Sequence, residues 1–307
     1  MSRKVAVSTV SMRRSDSACT AEDNLAAAER LLLRAAANKP DIVCLPETFT
    51  TIGVPYQRAY EVAESVPGPT TDRIGALARR LHAYVVCPML ERTNGHVFNA
   101  AVLLDRQGGI AGTYRKIHPT ISELEGGVVP GKHVETFATD FGRMSVLICF
   151  DIMFPACWRE AQERGTEIIF WPSTYEGGLP LQSRANEQEC YVVSSTWVWH
   201  SQILDITGYP LASTGQRSEI AWAEIDLEKR LFSTDYNMAK YDAILAKYGR
   251  RVSVSVLSPE GAFTLESHDP TTSVTEIVQE FGLETQHDYL ARSAAQQERF
   301  AVRDAQR

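Results

Sequence analysis

Short apolar runs of strand length alternate with amphipathic helical segments as far as Asp226, and this alternation confines the chain to an α/β fold. KVAVSTV reads as a first strand. Thr20, with Asp23 three residues on, makes a capping-box start for the helix NLAAAERLLLRAAA. DIVCLPE is a short apolar strand, TDRIGALARRLHA a helix and AYVVCPML a strand. VFNAAVLLD and GIAGTYRK flank Gly108-Gly109 and predict a hairpin. RMSVLICF, EIIFWPS and CYVVSSTW read as strands. The helices between them are PACWREAQERG, with Pro155 in its first turn and Gly165 at its end, and a segment centred on RANEQE. SQILDI and EIAWAEID are further strands.

The grammar repeats. Helix–DIVCLPE–helix–AYVVCP in the first half matches helix–EIIFWPS–helix–CYVVSS in the second. Both leading strands end in proline, at Pro46 and Pro172, and both following strands begin Tyr-Val-Val, at Tyr84 and Tyr191. Two such halves packed sheet against sheet, with helices outside, predict a four-layer α-β-β-α sandwich. After Asp226 the alternation weakens. RVSVSVL and AFTLES read as strands, and Ser273 with Glu276 caps the helix SVTEIVQEF, which Gly282 ends. From His287 to Arg307 the chain is polar with sparse apolar residues, as expected of an arm on another subunit or a loosely ordered end. A catalytic domain over 1–245 and a C-terminal extension over 246–307 making oligomer contacts are therefore expected.

Composition narrows the function. The 307 residues are 44% hydrophobic and 22% charged with net charge −7, ordinary for a globular protein. Without a long basic run, nucleic acid is not an expected partner. No apolar stretch reaches membrane-span length, and the N-terminus lacks the apolar core and cleavage site of a secretory signal, so a cytoplasmic location is expected. The six cysteines include no C-x-x-C pair, which argues against a zinc knuckle or thioredoxin-like site. Cys44, Cys87 and Cys190 lie in or beside apolar strands and read as buried small hydrophobes.

Three segments place a reactive side chain where a strand ends, the position at which α/β folds gather catalytic groups. Glu47 follows the strand of DIVCLPETF, and Lys116 ends the strand of GTYRKIHPT. Cys149 sits in RMSVLICFDIMFP where an apolar strand meets the loop before a helix, like a nucleophile elbow without its glycines. His118 reads as a structural hydrogen-bonding partner.

Taken in order, the three segments resemble the nitrilase superfamily of carbon–nitrogen hydrolases, from about Lys4 to Asp226. The motifs are LPET around Glu47, VFNAAVLLDRQGGIAGTYRKIHPT around Lys116, and LICFDIMFPACWREAQERGTEIIFWPS around Cys149. The resemblance implies a Glu47–Lys116–Cys149 triad, an α-β-β-α sandwich, and a homodimer or larger homo-oligomer. It implies that Glu47 deprotonates Cys149, whose thiolate attacks a carbonyl, while Lys116 and the backbone N–H of Phe150 hold the oxyanion. A thioester forms and water releases it, with no metal or organic cofactor. A second glutamate after the lysine orients it, and family spacing favours Glu123 over Glu125.

Nitrilases proper usually read Cys-Trp-Glu at the nucleophile; Cys149-Phe150-Asp151 is closer to the amidase and carbamoylase branches. Where carbamoylases acting on N-carbamoyl amino acids carry arginines, this chain has Ile152 and Met153. A small amide, or a carbamoyl compound, is the expected substrate, and these apolar positions argue for a neutral amide over an N-carbamoyl amino acid. Trp171, Tyr175, Trp197 and Trp199 are candidates to line its pocket. A nitrilase turning a nitrile into an acid, and a non-catalytic scaffold homologue, are the alternative readings.

Overall fold

The computed structural model describes residues 2–13, 20–54 and 58–304. Cys19 lies outside these residues. The chain divides into two compact units, one of Val5–Ile225 and one of Met1–Lys4 with Asp226–Arg307.

The larger unit contains two six-stranded sheets of matching order. In the first, β1 (Lys4–Val10), β2 (Ile42–Cys44) and β3 (Tyr84–Thr93) run side by side and parallel. β4 (His96–Leu104) and β5 (Ile110–Arg115) extend that sheet antiparallel, and β12 (Ile220–Asp226) closes its other edge. The second sheet repeats the plan. Its β7 (Arg143–Val146), β8 (Ile168–Ser173) and β9 (Tyr191–Thr196) are parallel. β10 (Gln202–Leu204) and β11 (Pro210–Ser213) follow antiparallel, and β6 (Thr136–Ala138) closes the other edge. The Tyr-Val-Val echo is thus structural: Tyr84 pairs with Ile42 and Tyr191 with Ile168, each at the start of a parallel pair.

The sheets face one another and helices cover their outer faces, as expected of the four-layer sandwich. Between the sheets the interior is partly hydroxylic. Thr9 donates to the Ser194 carbonyl, and Ser195 donates to the carbonyls of Val10 and Cys44. Outside the first sheet, the helices Ala21–Ala35 and Pro69–Leu81 bury Leu25, Leu32, Ile74 and Ala78 against Val43, Val85 and Val102. Thr20 and Asp23 form the expected capping box. One helix–sheet contact requires glycine on both sides. A Cβ on Gly75 would lie 2.6 Å from the carbonyl oxygen of Gly108, which turns the β4–β5 hairpin at φ +81°.

The smaller unit has its own core. β13 (Arg230–Ser233), β15 (Ala262–Ser267) and β14 (Val252–Leu257) form an antiparallel sheet in that order, with Phe232 paired to and stacked on Phe263. Ile244, Val274 and Ile277 pack against those rings from the helices Tyr241–Tyr248 and Val274–Phe281. β13 belongs to this unit through its pairing with β15. The polar C-terminal stretch is a helix, Gln286–Asp304. Among the described residues, no helix is long and apolar enough to cross a membrane.

Candidate active site

Glu47 lies three residues past β2, Lys116 directly after β5 and Cys149 three residues past β7. The strands are shorter than their apolar runs suggested. DIVCLPE stops at Cys44 and RMSVLICF at Val146, and the chain beyond each turns to present the reactive residue.

Lys116 is 1% exposed, and two carboxylates meet its ammonium: Glu47 Oε1 at 2.9 Å and Glu123 Oε2 at 2.8 Å. Asn99, on β4, bridges the same pair, its Nδ2 donating to Glu47 Oε1 and to Glu123 Oε1 at 2.7 Å each. Both carboxylates are buried, so the cation and the amide donors between them are what make their ionisation tolerable. Glu47 Oε2 has no hydrogen-bond partner among the described residues, which leaves one lone-pair-bearing oxygen of this buried carboxylate available to a proton. Burial pushes Glu47 above the usual carboxylate range, with Lys116 opposing and the charge of Glu123 adding to the rise. Burial also raises Glu123, but Lys116, Asn99 and Thr120 more than offset it, and its carboxyl is held below the usual range.

Glu123 owes its place to local chemistry. Thr120 caps the short helix Ile121–Glu125, and Glu123 Oε2 closes the capping box by accepting from the Thr120 N–H at 2.7 Å. The Thr-x-x-Glu spacing that signals such a box is present in the sequence and points to Glu123 independently of any family resemblance. Glu125 is exposed on the same helix.

Cys149 opens a 3₁₀ turn, Cys149–Met153, with φ +45°, a left-handed value that costs a non-glycine residue energy and that other contacts must hold. Trp171 supplies one, donating its indole N–H to the Cys149 carbonyl at 3.0 Å. The thiol is 6% exposed and is pushed up to about 12, by burial first and by the charge of Glu47 second, with Lys116, Ser173 and Thr174 opposing. The sulfur therefore lies within the fields of Glu47 and Lys116. Phe150, in the first turn, has a backbone N–H with no intrahelical acceptor.

The remaining expected site residues separate. Tyr175 is 40% exposed and packs edge-on against Trp171, whose ring is wholly buried beneath the nucleophile. The acidity of Tyr175 falls, its hydroxyl being pushed up to about 12 by burial and then by Cys149 and Glu47, so it shares their electrostatic environment. Trp197 donates its indole N–H to the Glu47 carbonyl, and Trp199 lies under the Arg13 guanidinium at 4.0 Å. His118 is hydrogen-bonded to Asp151 and stacked on Phe154, in keeping with a structural role. A cavity of about 390 Å³ is lined by Phe98, Arg115 and Lys132 and by none of Glu47, Lys116 or Cys149. Among the described residues, no cluster of His, Cys, Asp or Glu is arranged to hold a metal ion.

Asn99 and Asp151 were not singled out by sequence. A lone amide inside the apolar run VFNAAVLL is the one signal that marks Asn99, because a buried amide must find partners.

A two-sheet α/β sandwich that buries a lysine between two glutamates beside a cysteine defines a class of thiol-dependent hydrolase sites. The chain belongs to the carbon–nitrogen hydrolase family, whose family model matches residues 4–230. Human omega-amidase NIT2 is 27% identical over 235 residues, covering 67% of this chain and 84% of that protein. Nit3 of Saccharomyces cerevisiae, a member of the nitrilase superfamily, superposes with a TM-score of 0.66 at 24% identity, over 81% of this chain and 97% of its own. An amidase from Nesterenkonia sp. also superposes at 0.66, with 19% identity over 79% and 96%.

Proposed function

We propose that the chain hydrolyses the carbon–nitrogen bond of a small amide through a thioester on Cys149. The observation that carries this reading is the buried Glu47–Lys116–Glu123 set, in which one oxygen of Glu47 keeps no hydrogen-bond partner among the described residues. Glu47 accepts the thiol proton as the sulfur attacks the amide carbon. Burial and the charge of Glu47 favour the protonated thiol in the resting site, and Glu47 is the base that takes its proton. The ammonium of Lys116 and the N–H of Phe150 receive the oxyanion. Collapse of the tetrahedral adduct breaks the carbon–nitrogen bond, and Glu47 passes its proton to the departing nitrogen. Water then adds to the thioester with Glu47 taking its proton, and the acid leaves as the sulfur is reprotonated. Glu123 and Asn99 hold Lys116 and Glu47 for both halves of the cycle. Similarity to omega-amidase NIT2 supports an amide over a nitrile as substrate.

A neutral acyl group suits the nucleophile turn. Ile152 is buried, and Met153 is exposed and has no group to donate to an anion. Arg184, one candidate for a substitute clamp, is spent on the Ile152 carbonyl and Glu187. Ammonia release across a panel of amides, carbamoyl compounds and nitriles, with Cys149→Ala as control, tests the reading. Turnover of an amide by the wild type and none by the variant is expected. A free-acid substrate should have a lower kcat/KM than its methyl ester, about tenfold for each 1.4 kcal/mol of uncompensated charge. Activity retained by Cys149→Ala defeats the mechanism, and a preference for the free acid defeats the neutral pocket.

The same reading includes a cytoplasmic homo-oligomer. Free thiols at Cys44, Cys87, Cys149, Cys157 and Cys190 suit a reducing compartment. The helix Gln286–Asp304 exposes Leu290 and Phe300, which favours contacts with a second copy.

A further inference from the structure

We propose that Asp151 is a positioning residue that holds the Cys149 turn in register with the segment carrying Lys116. This rests on the amide-hydrolase reading of those two residues and adds what sets their geometry.

Asp151 is wholly buried, and its two oxygens face two different stretches of chain. Oδ2 accepts from the Ile148 N–H at 2.8 Å and from the Tyr114 hydroxyl at 2.7 Å. Oδ1 accepts from the His118 N–H at 2.9 Å and lies 3.0 Å from His118 Nδ1. Tyr114 and His118 stand two residues before and after Lys116, while Ile148 immediately precedes Cys149. One carboxylate therefore ties both flanks of the lysine to the turn that presents the sulfur.

The turn requires such a tie. Cys149 holds φ +45°, and a strained backbone persists only where its surroundings over-determine it. Trp171 pins the Cys149 carbonyl on one side. On the other, the Asp151 carbonyl accepts from the Trp158 indole N–H at 3.1 Å and from the Cys157 thiol. The Asp151 side chain is the part of this scaffold that reaches the lysine segment. A catalytic constellation displaced by a fraction of an ångström loses rate, because attack and oxyanion capture need aligned atoms.

Asparagine is the informative replacement. It keeps the size of aspartate but turns one acceptor into a donor. Whichever way the amide lies, its NH₂ faces a backbone N–H, that of Ile148 or that of His118, so one of the two ties is lost while the volume stays.

The test compares full-length wild type, Asp151→Asn and Tyr114→Phe. Steady-state amide kinetics are paired with the pH dependence of Cys149 alkylation by iodoacetamide, resolved by mass spectrometry. For Asp151→Asn, kcat should fall about tenfold or more with KM changing less than about threefold. Its alkylation profile should move to higher pH, as the sulfur shifts away from Lys116 and the Ser173–Thr174 donors. Tyr114→Phe should move both in the same direction by less. A folded Asp151→Asn protein with wild-type kcat and an unmoved alkylation profile overturns the proposal, even if its melting temperature drops. Should Asp151→Asn fail to fold, an unchanged kcat and profile in Tyr114→Phe overturns it. Alkylation needs no substrate, so a chain that turned over no amide would refute the hydrolase reading and leave this test intact.

Discussion

Glu47 and Glu123 share one lysine yet are driven in opposite directions, and the difference is in what else each touches. Glu123 also accepts from Thr120 at a helix start, so its charge is well solvated by donors. Glu47 has fewer donors and one oxygen with none among the described residues. Burial is the largest influence on Glu47, and it is upward. The sign for activity follows. As pH falls, Glu47 binds a proton and can no longer accept one from Cys149, so the rate drops. Because its affinity for protons is raised, the acidic limb of kcat/KM should lie above the ordinary glutamate value of about 4.3. A limb at or below that value contradicts the assignment of Glu47 as the base. At this scale sequence placed Glu47, Lys116 and Cys149 at strand ends. It could not show that Asn99 spans the two carboxylates, because β4 meets the Glu47 segment beyond β2 and the 121–125 helix only through the tertiary fold.

Elements with a strong local signal came out as read. The capping boxes at Thr20–Asp23 and Ser273–Glu276 are present, and Pro155 begins its helix. The hairpin turns at Gly108-Gly109 with β4 and β5 antiparallel. Elements stabilised by their neighbours were not legible. β13 and the helix Tyr241–Tyr248 have too little periodicity of their own and form because Phe232 and Ile244 meet the core of the smaller unit. Helix Pro69–Leu81 permits a sharp test of packing against propensity. In an exposed helix, Gly→Ala stabilises by about 1 kcal/mol. At Gly75 the new methyl would meet the backbone carbonyl of Gly108, and overpacking costs about 1–3 kcal/mol. Gly75→Ala should therefore lower stability, by up to about 2 kcal/mol, in urea unfolding. A more stable variant shows that the approach relaxes without strain.

For the molecule as a whole, the surface left uncovered matters most. The helix Gln286–Asp304 is largely exposed as far as Ala301, with Leu290 57% and Phe300 62% accessible. In proteins a helix gains most of its stability from a buried face. We expect a homodimer or larger assembly by sedimentation at micromolar concentration, with Leu290→Asp and Phe300→Asp together shifting it towards monomer. A wild-type monomer under those conditions contradicts the expectation.

The alternation of strands and helices, its repetition, and the order of the Glu47, Lys116 and Cys149 segments were written in the sequence itself, since periodicity and turn chemistry act over a few residues. Which groups touch was decided by the fold. The matching order of the two sheets, the meeting of Lys116 with Glu47, and the contact of Asp151 with His118 all join residues distant in sequence. So was the positive φ of Cys149. Such a conformation is unfavourable locally, and the hydrogen bonds from Trp171 and around Asp151, made once the layers have packed, help to keep the turn in place.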